Sequence, residues 1–303
     1  MSGILEGKSI IVTGAGHGIG RGHALELARQ GALVVVNDVG SAVNGEGSGR
    51  DADITVGLIE ARGGRAVADY GDVTDEDAMR NLIESTVERF GRLDGLVTNA
   101  GIVRDRAIWN MTPYDFDKVM SVHVKGTWLP CHFAAIHWRN RHKAGERVNG
   151  RIVTTTSGAG LWGNFGQTNY ATAKAAIVGL TLTMSVELYS LGVTANSVGP
   201  GGATRLSSTR PGGDAAIEPD EIPDGEYHPM DPAGSSPLVA WLLSDDADHV
   251  TGQVIRSIHD KLFLMRGWRE AATVSSNGHR WDATMIGTVI ATDLFETRAP
   301  GLR

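Results

Sequence analysis

The stretch Thr13-Gly14-Ala15-Gly16-His17-Gly18-Ile19-Gly20 follows an apolar run, Ser9–Thr13, and leads into a segment with helical periodicity, Gly18–Gln30. A tight turn between a strand and a helix brings the backbone close to a bound ligand, and glycine leaves the space that this approach needs. The first turn of the helix offers free N–H groups and the positive end of its dipole to a phosphate. Glycine-rich turns are common, but this place between a strand and a helix favours a nucleotide site over a plain turn. We therefore predict that a dinucleotide is bound by Gly14, Gly16, His17, Gly18, Ile19 and Gly20.

Short apolar runs alternate with periodic, helix-like segments from this stretch to Ile258. Strands are predicted at Ser9–Thr13, Leu33–Asp38, Ala66–Tyr70, Leu93–Thr98, Arg151–Thr156, Val193–Val198 and Gln253–Ile258. Helices are predicted at Gly18–Gln30, Asp51–Arg62, Asp75–Phe90, Asp115–His142, Asn169–Leu191 and Pro237–Ser244. This alternation is typical of an α/β fold of the Rossmann type: a doubly wound, mostly parallel sheet, here of seven strands, with helices on both faces.

The 303 residues suit a single dinucleotide-binding domain, because no linker-like stretch interrupts this alternation. Residues 205–232 are rich in proline, glycine and acidic residues, and we expect them to form a substrate lid. The tail, residues 261–303, is too apolar for a disordered segment, so we expect a C-terminal extension that packs on the domain or on another subunit. Its aromatic residues are Phe263, Trp268, Trp281 and Phe295.

Composition narrows the partners and the location. The net charge of −7 argues against nucleic acid, because phosphate contacts need a basic face. No run approaches the ~18 apolar residues of a membrane span, and the first residues lack the order of a signal peptide. The single cysteine, Cys131, allows no intrachain disulfide and fits a reducing compartment. We expect a cytoplasmic protein that acts on a small molecule, without a membrane partner.

Asp38 ends the second predicted strand, 18 residues after Gly20. A carboxylate at this position accepts hydrogen bonds from the ribose hydroxyls of an adenosine and repels a 2′-phosphate. The alternative is a solvated aspartate at a strand end. The position favours the ligand, so the predicted cofactor is NAD rather than NADP.

Tyr170 and Lys174 are four residues apart at the start of a predicted helix, and this spacing places both on one helix face. A nearby ammonium favours the phenolate and lowers the pKa of a tyrosine toward the working range of an acid/base catalyst. This chemistry suits the removal of a hydroxyl proton as hydride leaves the carbon, without a metal. Tyr170 is therefore the predicted acid/base, and no metal site is predicted.

The spacing alone is not specific, because Tyr114 and Lys118 repeat it in an acidic stretch after Pro113. That second pair is interpreted as a solvated helix start. Ser157 distinguishes the pair at Tyr170, because it ends the fifth predicted strand 13 residues earlier. Strand ends at the carboxyl edge of such a sheet line the ligand crevice, where the Ser157 hydroxyl can position a substrate oxygen.

Together these motifs resemble the short-chain dehydrogenase/reductase family over roughly Gly7 to Ile258. The resemblance implies catalytic roles for Ser157, Tyr170 and Lys174, and a second role for Tyr170 and Lys174 at the cofactor. It also implies that Asp72 contacts the adenine, that Thr204 binds the nicotinamide carboxamide, and that the protein is a homotetramer or a homodimer. The remaining matching positions, expected along the cofactor, are Val73, Asn99, Ala100, Gly101, Pro200 and Gly201.

The sequence departs from this family at one position. Where the family usually has an asparagine, within a pattern like Val-Asn-x-x-Gly, the stretch Val122–Gly126 has His123. The asparagine is thought to hold a water that links the active-site lysine to solvent. A neutral imidazole also donates and accepts hydrogen bonds, so His123 is a candidate for the relay. The alternative is a packed core histidine in an altered enzyme.

A subgroup resemblance narrows the activity. Val34–Asp38 with the glycine-rich insertion after it, Val122–Gly126 and Ala203–Leu206 are similar to the dehydrogenase part of peroxisomal multifunctional enzyme type 2. That subgroup implies oxidation of (3R)-hydroxyacyl-CoA or of a hydroxysteroid. Two alternatives stay open: a 3-oxoacyl-carrier-protein or general ketone reductase, and a catalytically silent NAD-binding regulatory protein.

Overall fold

The computed structural model describes residues 3–209, 212–223, 225–267, 270 and 272–289, except for the side chains of Met285 and Gly287. Residues up to Met265 form one compact unit, and the residues from Arg266 form a second, small one. In the first unit, one sheet has the strand order β3-β2-β1-β4-β5-β6-β7-β8. The strands are β1 Ser9–Thr13, β2 Leu33–Asn37, β3 Arg65–Asp69, β4 Gly95–Thr98, β5 Gly150–Thr155, β6 Val193–Pro200, β7 Val254–Ile258 and β8 Lys261–Met265.

Helices connect the strands and cover both faces of the sheet. They are α1 Gly18–Arg29, α2 Asp51–Ala61, α3 Glu76–Phe90, α4 Pro113–Met120, α5 Gly126–Lys143, α6 Gly158–Trp162, α7 Thr168–Glu187 and α8 Ser236–Leu243. The second unit contains α9, Ala283–Val289. In the described residues, no helix is both long and apolar enough to cross a bilayer, and no cluster of three or more His, Cys, Asp or Glu could hold a metal ion.

Two apolar layers form the core because successive residues of each strand point to opposite faces. Val12 and Val36 pack on one face with α1 and α8, whereas Ile11 and Leu96 pack on the other with α3 and α5. The strand order reverses between β1 and β4, which lie side by side in the middle of the sheet. The carboxyl ends of these two strands therefore border the crevice where such folds bind ligands.

The structure confirms the predicted α/β fold class and corrects the strand count from seven to eight. β8 pairs antiparallel with β7, and only His259 and Asp260 separate the two strands. Such short hairpin turns usually carry glycine or asparagine, and this one instead holds His259 at a φ of 55°. Because that turn signal is missing, nothing in the sequence separates Lys261–Met265 from the tail.

The single helix predicted at Asp115–His142 is two helices in the structure. It begins at Pro113, where Thr112 caps it by accepting a hydrogen bond from the Asp115 N–H. It is then interrupted by a π-helical turn at Ser121–Lys125, which separates α4 from α5. Hydrophobic periodicity does not reveal one widened turn, and such π-turns are frequent at functional sites.

Candidate active site

The glycine-rich turn leaves a cradle that side chains would fill. Gly14 has a φ of 63°, and a Cβ on it would lie 2.6 Å from the Cα of Ala100. A Cβ on Gly20 would lie 2.0 Å from the carbonyl oxygen of Gly14. The cradle is open only because these positions are glycine, and the first N–H groups of α1 border it. Its shape and its donors fit the pyrophosphate of a dinucleotide.

Hydrogen bonds from the end of β4 fix this turn. The backbone N–H groups of Asn99 and Ala100 donate to Thr13 Oγ1 at 3.1 and 3.2 Å. The side-chain amide of Asn99 donates to the carbonyl oxygens of Thr13 and Gly14 at 3.3 and 3.0 Å. The ends of β1 and β4 are therefore locked together at the point where the strand order reverses.

Asp38 lies beside the same turn, immediately after β2. Its carboxylate accepts hydrogen bonds from the N–H of Gly16 and from the N–H of Gly40, both at 2.7 Å. A Cβ on Gly16 would lie 2.8 Å from Asp38 Oδ2, which explains the glycine at that position. The carboxylate still borders the groove, where it can meet ribose hydroxyls.

A single groove of about 1070 Å³, which includes solvent at its mouth, joins most of the predicted cofactor residues. The predicted residues in its lining are Gly14, His17, Gly18, Ile19, Gly20, Asp38, Asp72, Val73, Asn99, Ala100, Gly101 and Thr204. Gly16, Pro200 and the four predicted catalytic residues do not line it, and Gly201 borders a separate cavity. The groove thus matches the nucleotide end of the predicted site rather than its catalytic end.

Lys174 connects α7 to the end of β5. Its Nζ donates a hydrogen bond to the carbonyl oxygen of Thr155 at 2.8 Å, and Thr156 Oγ1 donates to the carbonyl oxygen of Lys174 at 2.8 Å. Ser157 follows Thr156 and caps α6, since its Oγ accepts a hydrogen bond from the Ala159 N–H at 3.3 Å. The predicted serine and lysine are therefore held on adjoining elements.

Burial changes the electrostatics of Lys174. The side chain is 3% exposed, and its desolvation lowers the pKa to about 7. The ammonium lies over the Tyr170 ring, with Nζ 5.6 Å from the ring centroid. An ammonium so close to a phenol favours the phenolate, so the arrangement suits Tyr170 as an acid/base.

His123 lies in the π-helical turn, with its ring edge-on to Tyr170 and the two ring centroids 5.1 Å apart. Its Nε2 lies 2.8 Å from the Ile102 carbonyl oxygen and 3.1 Å from the Ile102 nitrogen. One nitrogen of a neutral imidazole cannot donate and accept at once, so the shorter contact favours a proton on Nε2. Nδ1 is then an acceptor, and it is buried without a partner in the described part of the chain.

The His123 ring is neutral and tightly enclosed. Burial, followed by repulsion from Lys174, lowers its pKa to about 3. A Cβ on Gly101 would lie 2.4 Å from His123 Cε1, so the glycine of the Asn-Ala-Gly turn makes room for the imidazole. The structure thus brings His123, Tyr170 and Lys174 together.

The other expected residues occupy the borders of the site. Asp72 uses Oδ1 to accept hydrogen bonds from the N–H and the hydroxyl of Thr74, both at 2.8 Å, and remains in the groove lining. Thr204 lies against the start of α1, with its Cγ2 3.3 Å from where a Cβ on Gly18 would be. Gly201 prolongs the pairing of β6 with β7 by donating from its N–H to the Ser257 carbonyl oxygen.

Several residues that contact or border the groove were not predicted from the sequence. Arg21 donates through Nη2 to the Gly16 carbonyl oxygen at 2.6 Å, and Glu218 accepts a hydrogen bond from the Gly18 N–H. Lys118, interpreted as part of a solvated helix start, lines the groove, whereas its neighbour Tyr114 is 58% exposed. Only spatial proximity identifies Glu218, because it is 200 residues from Gly18.

Comparisons with known proteins agree with this geometry. The short chain dehydrogenase family profile matches residues 8–210. The chain is 39% identical to a hydroxyacyl-CoA dehydrogenase of Mycobacterium tuberculosis over 299 residues, which cover 98% of this chain and 91% of that protein. It is 35% identical over 248 residues to peroxisomal multifunctional enzyme type 2 of Mus musculus, covering 82% of this chain and 31% of that protein. A solved short chain dehydrogenase from Mycobacterium avium superposes with a TM-score of 0.86 at 43% identity, covering 98% of each chain.

The chain belongs to the short-chain dehydrogenase family. It is an oxidoreductase acting on CH–OH groups, which transfers hydride between a nicotinamide dinucleotide and a secondary alcohol or ketone. Within the family it resembles the dehydrogenase part of peroxisomal multifunctional enzyme type 2, and it spans about a third of that protein's length.

Proposed function

We propose that this protein is an NAD(H)-dependent dehydrogenase in which Tyr170 moves the hydroxyl proton. The observation that carries the proposal is the buried ammonium of Lys174, 5.6 Å from the Tyr170 ring centroid and bonded to the end of β5. The carbonyl that Lys174 contacts belongs to Thr155, two residues before Ser157, which supports one site that contains both the serine hydroxyl and the phenol. Bound nicotinamide supplies the hydride acceptor or donor.

The protein's residues perform the proton chemistry and the positioning. Ser157 Oγ holds the substrate oxygen by a hydrogen bond, and the Tyr170 phenolate accepts the hydroxyl proton during oxidation. Lys174 stabilises that phenolate electrostatically. His123, with a neutral ring and an open acceptor at Nδ1, is a positioning residue that can hold a water near Lys174.

Asp38 supports NAD over NADP. Its carboxylate borders the groove and already accepts two backbone hydrogen bonds, so it is fixed as an acceptor for ribose hydroxyls. A 2′-phosphate at this position would meet a negative charge. Titration with NADH and with NADPH tests the assignment. NADH should bind at least about tenfold more tightly, because repulsion between two charges near a protein surface costs more than the roughly 1.4 kcal/mol of a tenfold change.

We infer that the substrate is a 3-hydroxyacyl-CoA or a chemically similar secondary alcohol. The support is the 39% identity, over nearly the whole length of both chains, to a protein named as a hydroxyacyl-CoA dehydrogenase. A turnover screen with NAD tests the class, using 3-hydroxyacyl-CoA esters, hydroxysteroids and simple secondary alcohols. Preference for simple ketones with NADPH would instead favour the general ketone reductase.

The chain offers a matched control for Tyr170. Tyr170→Phe removes the acid/base hydroxyl and should lower kcat by about 1000-fold, within the range of acid–base catalysis, with little change in NADH affinity. Tyr114→Phe removes the same hydroxyl from the second Tyr-x-x-x-Lys pair, where the ring is exposed, and should leave kcat near wild type. Near-normal turnover in Tyr170→Phe would refute the assignment. Tight NADH binding by the wild type without turnover on any alcohol would favour the silent regulatory protein.

The proposal extends to the domain organisation, the oligomeric state and the location of the protein. We infer a single dehydrogenase domain whose residues 205–232 form the substrate lid, with residues 261–303 as a C-terminal extension that begins as β8. Exposed apolar side chains on α5 and α7 support a homotetramer or homodimer, which sedimentation velocity tests; they are Trp128, Ile136, Leu182 and Val186. A cytoplasmic location is inferred from the free, buried thiol of Cys131.

A further inference from the structure

The helix that begins at the glycine-rich turn receives its N-terminal acceptor from a distant segment. α1 has no side-chain cap of its own from His17 and no acidic residue in its first turn. The N–H of Gly18, its first residue, donates instead to Glu218 Oε2 at 2.8 Å. Glu218 belongs to the lid segment, so a lid carboxylate occupies a position at the end of the helix where anions are favoured.

Glu218 is held there by the side chains of His17 and Arg21 as well as by the backbone. His17 Nδ1 lies 2.8 Å from its Oε1, and Arg21 Nη1 lies 3.3 Å from its Oε2. Arg21 also contacts Asp220 at 2.9 Å. Burial acts to raise the pKa of Glu218, but the hydrogen bonds from His17 and Gly18 and the charge of Arg21 lower it overall. The carboxyl group is therefore an anion at neutral pH.

A dinucleotide needs the same donors, because its pyrophosphate is expected over Gly14–Gly20. The neighbourhood already holds the carboxylates of Asp38 and Asp51, which contact Gly16 and His17. A second anion beside Glu218 would be repelled at short range. Resting on the dinucleotide cofactor proposed above, we propose that Glu218 is an internal, displaceable anion that leaves the start of α1 when the cofactor pyrophosphate binds.

The exchange would reach the other end of the cofactor site through the lid backbone. Ile217, next to Glu218, donates from its N–H to the Ala203 carbonyl oxygen at 3.0 Å. Thr204 follows directly and lines the groove against Gly18. Release of Glu218 therefore loosens the segment that positions Thr204, and cofactor binding is coupled to the conformation of the lid.

Calorimetric titration of the full chain with ADP-ribose and with adenosine tests the exchange. Glu218→Gln keeps the size and the acceptor but removes the charge, and it should tighten ADP-ribose by about tenfold, the low end for a hydrogen bond to a charged group. Adenosine has no phosphate, so its affinity should stay within about twofold. The matched control is Asp220→Asn. This change also removes a carboxylate from Arg21, but Asp220 does not contact the Gly18 N–H. It should tighten ADP-ribose by less than about twofold.

Two results would overturn the exchange: unchanged or weaker ADP-ribose binding in Glu218→Gln, and equal tightening in Asp220→Asn. If the wild type and Glu218→Gln both fail to bind ADP-ribose, the proposed cofactor is wrong and the exchange falls with it. If only the gain in Glu218→Gln is missing, the cofactor proposal stands. Hydrogen exchange on the wild type needs no variant: ADP-ribose should speed exchange at the Ile217 and Glu218 amides, and slower exchange there would contradict displacement.

Discussion

The buried ammonium of Lys174 predicts how the stability of this protein depends on pH. Its pKa is about 7 in the folded protein, against an ordinary value of 10.5, and burial is the cause. Between these two values the unfolded chain binds a proton at this side chain that the folded chain lacks. The free energy of unfolding therefore rises with pH from about 7 to about 10.5, at up to 1.36 kcal/mol per pH unit. This gain is lost again as the pH falls toward 7.

The magnitude can be isolated with Lys174→Met, which replaces the ammonium by an uncharged side chain of similar length. From pH 7 to pH 9 the wild type should gain about 2 kcal/mol in free energy of unfolding relative to the variant, because Lys174 is half deprotonated at the start of this range. Reversible urea denaturation at a fixed protein concentration measures the difference at pH 7, 8 and 9.

A matched control tests whether the loss of any lysine charge changes the pH dependence of the free energy of unfolding. Lys143, the last residue of α5, is exposed, and Lys143→Met should differ from the wild type by an amount that stays constant over the same range. A constant difference between the wild type and Lys174→Met would refute the depressed pKa of Lys174. A slope of equal size in Lys143→Met would assign the dependence to the surface charge instead.

Two further predictions follow from the packing of the site. Gly20→Ala should lower the free energy of unfolding by about 2–3 kcal/mol and abolish NADH binding, because its Cβ would lie 2.0 Å from the Gly14 carbonyl oxygen. Gly57→Ala in α2 is the control, because nothing lies within 4 Å of its Cβ, and it should raise the free energy of unfolding by about 0.5–1 kcal/mol. A Gly20→Ala variant that is stable and binds NADH would contradict the prediction. His123→Ala should lower kcat about 100-fold and alter its pH profile, while His123→Asn restores most of the activity because the amide also donates and accepts. Equal kcat values and pH profiles in the wild type and both variants would leave His123 only a packing role.

Most residues predicted from the sequence for the nucleotide end line one groove in the structure, and the reason is geometric. Glycine is required where other atoms approach the backbone closely: another backbone segment at Gly14 and Gly20, and the Asp38 and Asp51 side chains at Gly16. Asp38 could be predicted because strands of a parallel sheet end at a common edge. Fold class followed from the same regular alternation of strands and helices.

The parts that could not be predicted depend on contacts between distant segments or on local departures from regular geometry. Glu218 looked like one acid among several in a loop, and only the fold brings it to Gly18. The π-helical turn around His123 widens the helix without changing its hydrophobic pattern. The turn between β7 and β8 lacks glycine, so β8 had no local signal to separate it from the tail.

The catalytic end of the candidate site holds two buried polar groups that the fold alone does not require. Lys174 is buried, desolvation is the cause that lowers its pKa, and no ion pair with it is found among the described residues. Near it, His123 keeps Nδ1 buried without a protein partner, again among the described residues. An uncompensated buried cation and an unmet acceptor both oppose folding, so stability does not explain them. The proposed proton transfer does, because a phenolate at Tyr170 would meet the Lys174 ammonium and a bound water would meet Nδ1. On this reasoning Lys174→Met should be less active than the wild type. Its free energy of unfolding at pH 7 should lie nearer to that of the wild type than at pH 9, or above it. Such a result separates function from stability at one residue.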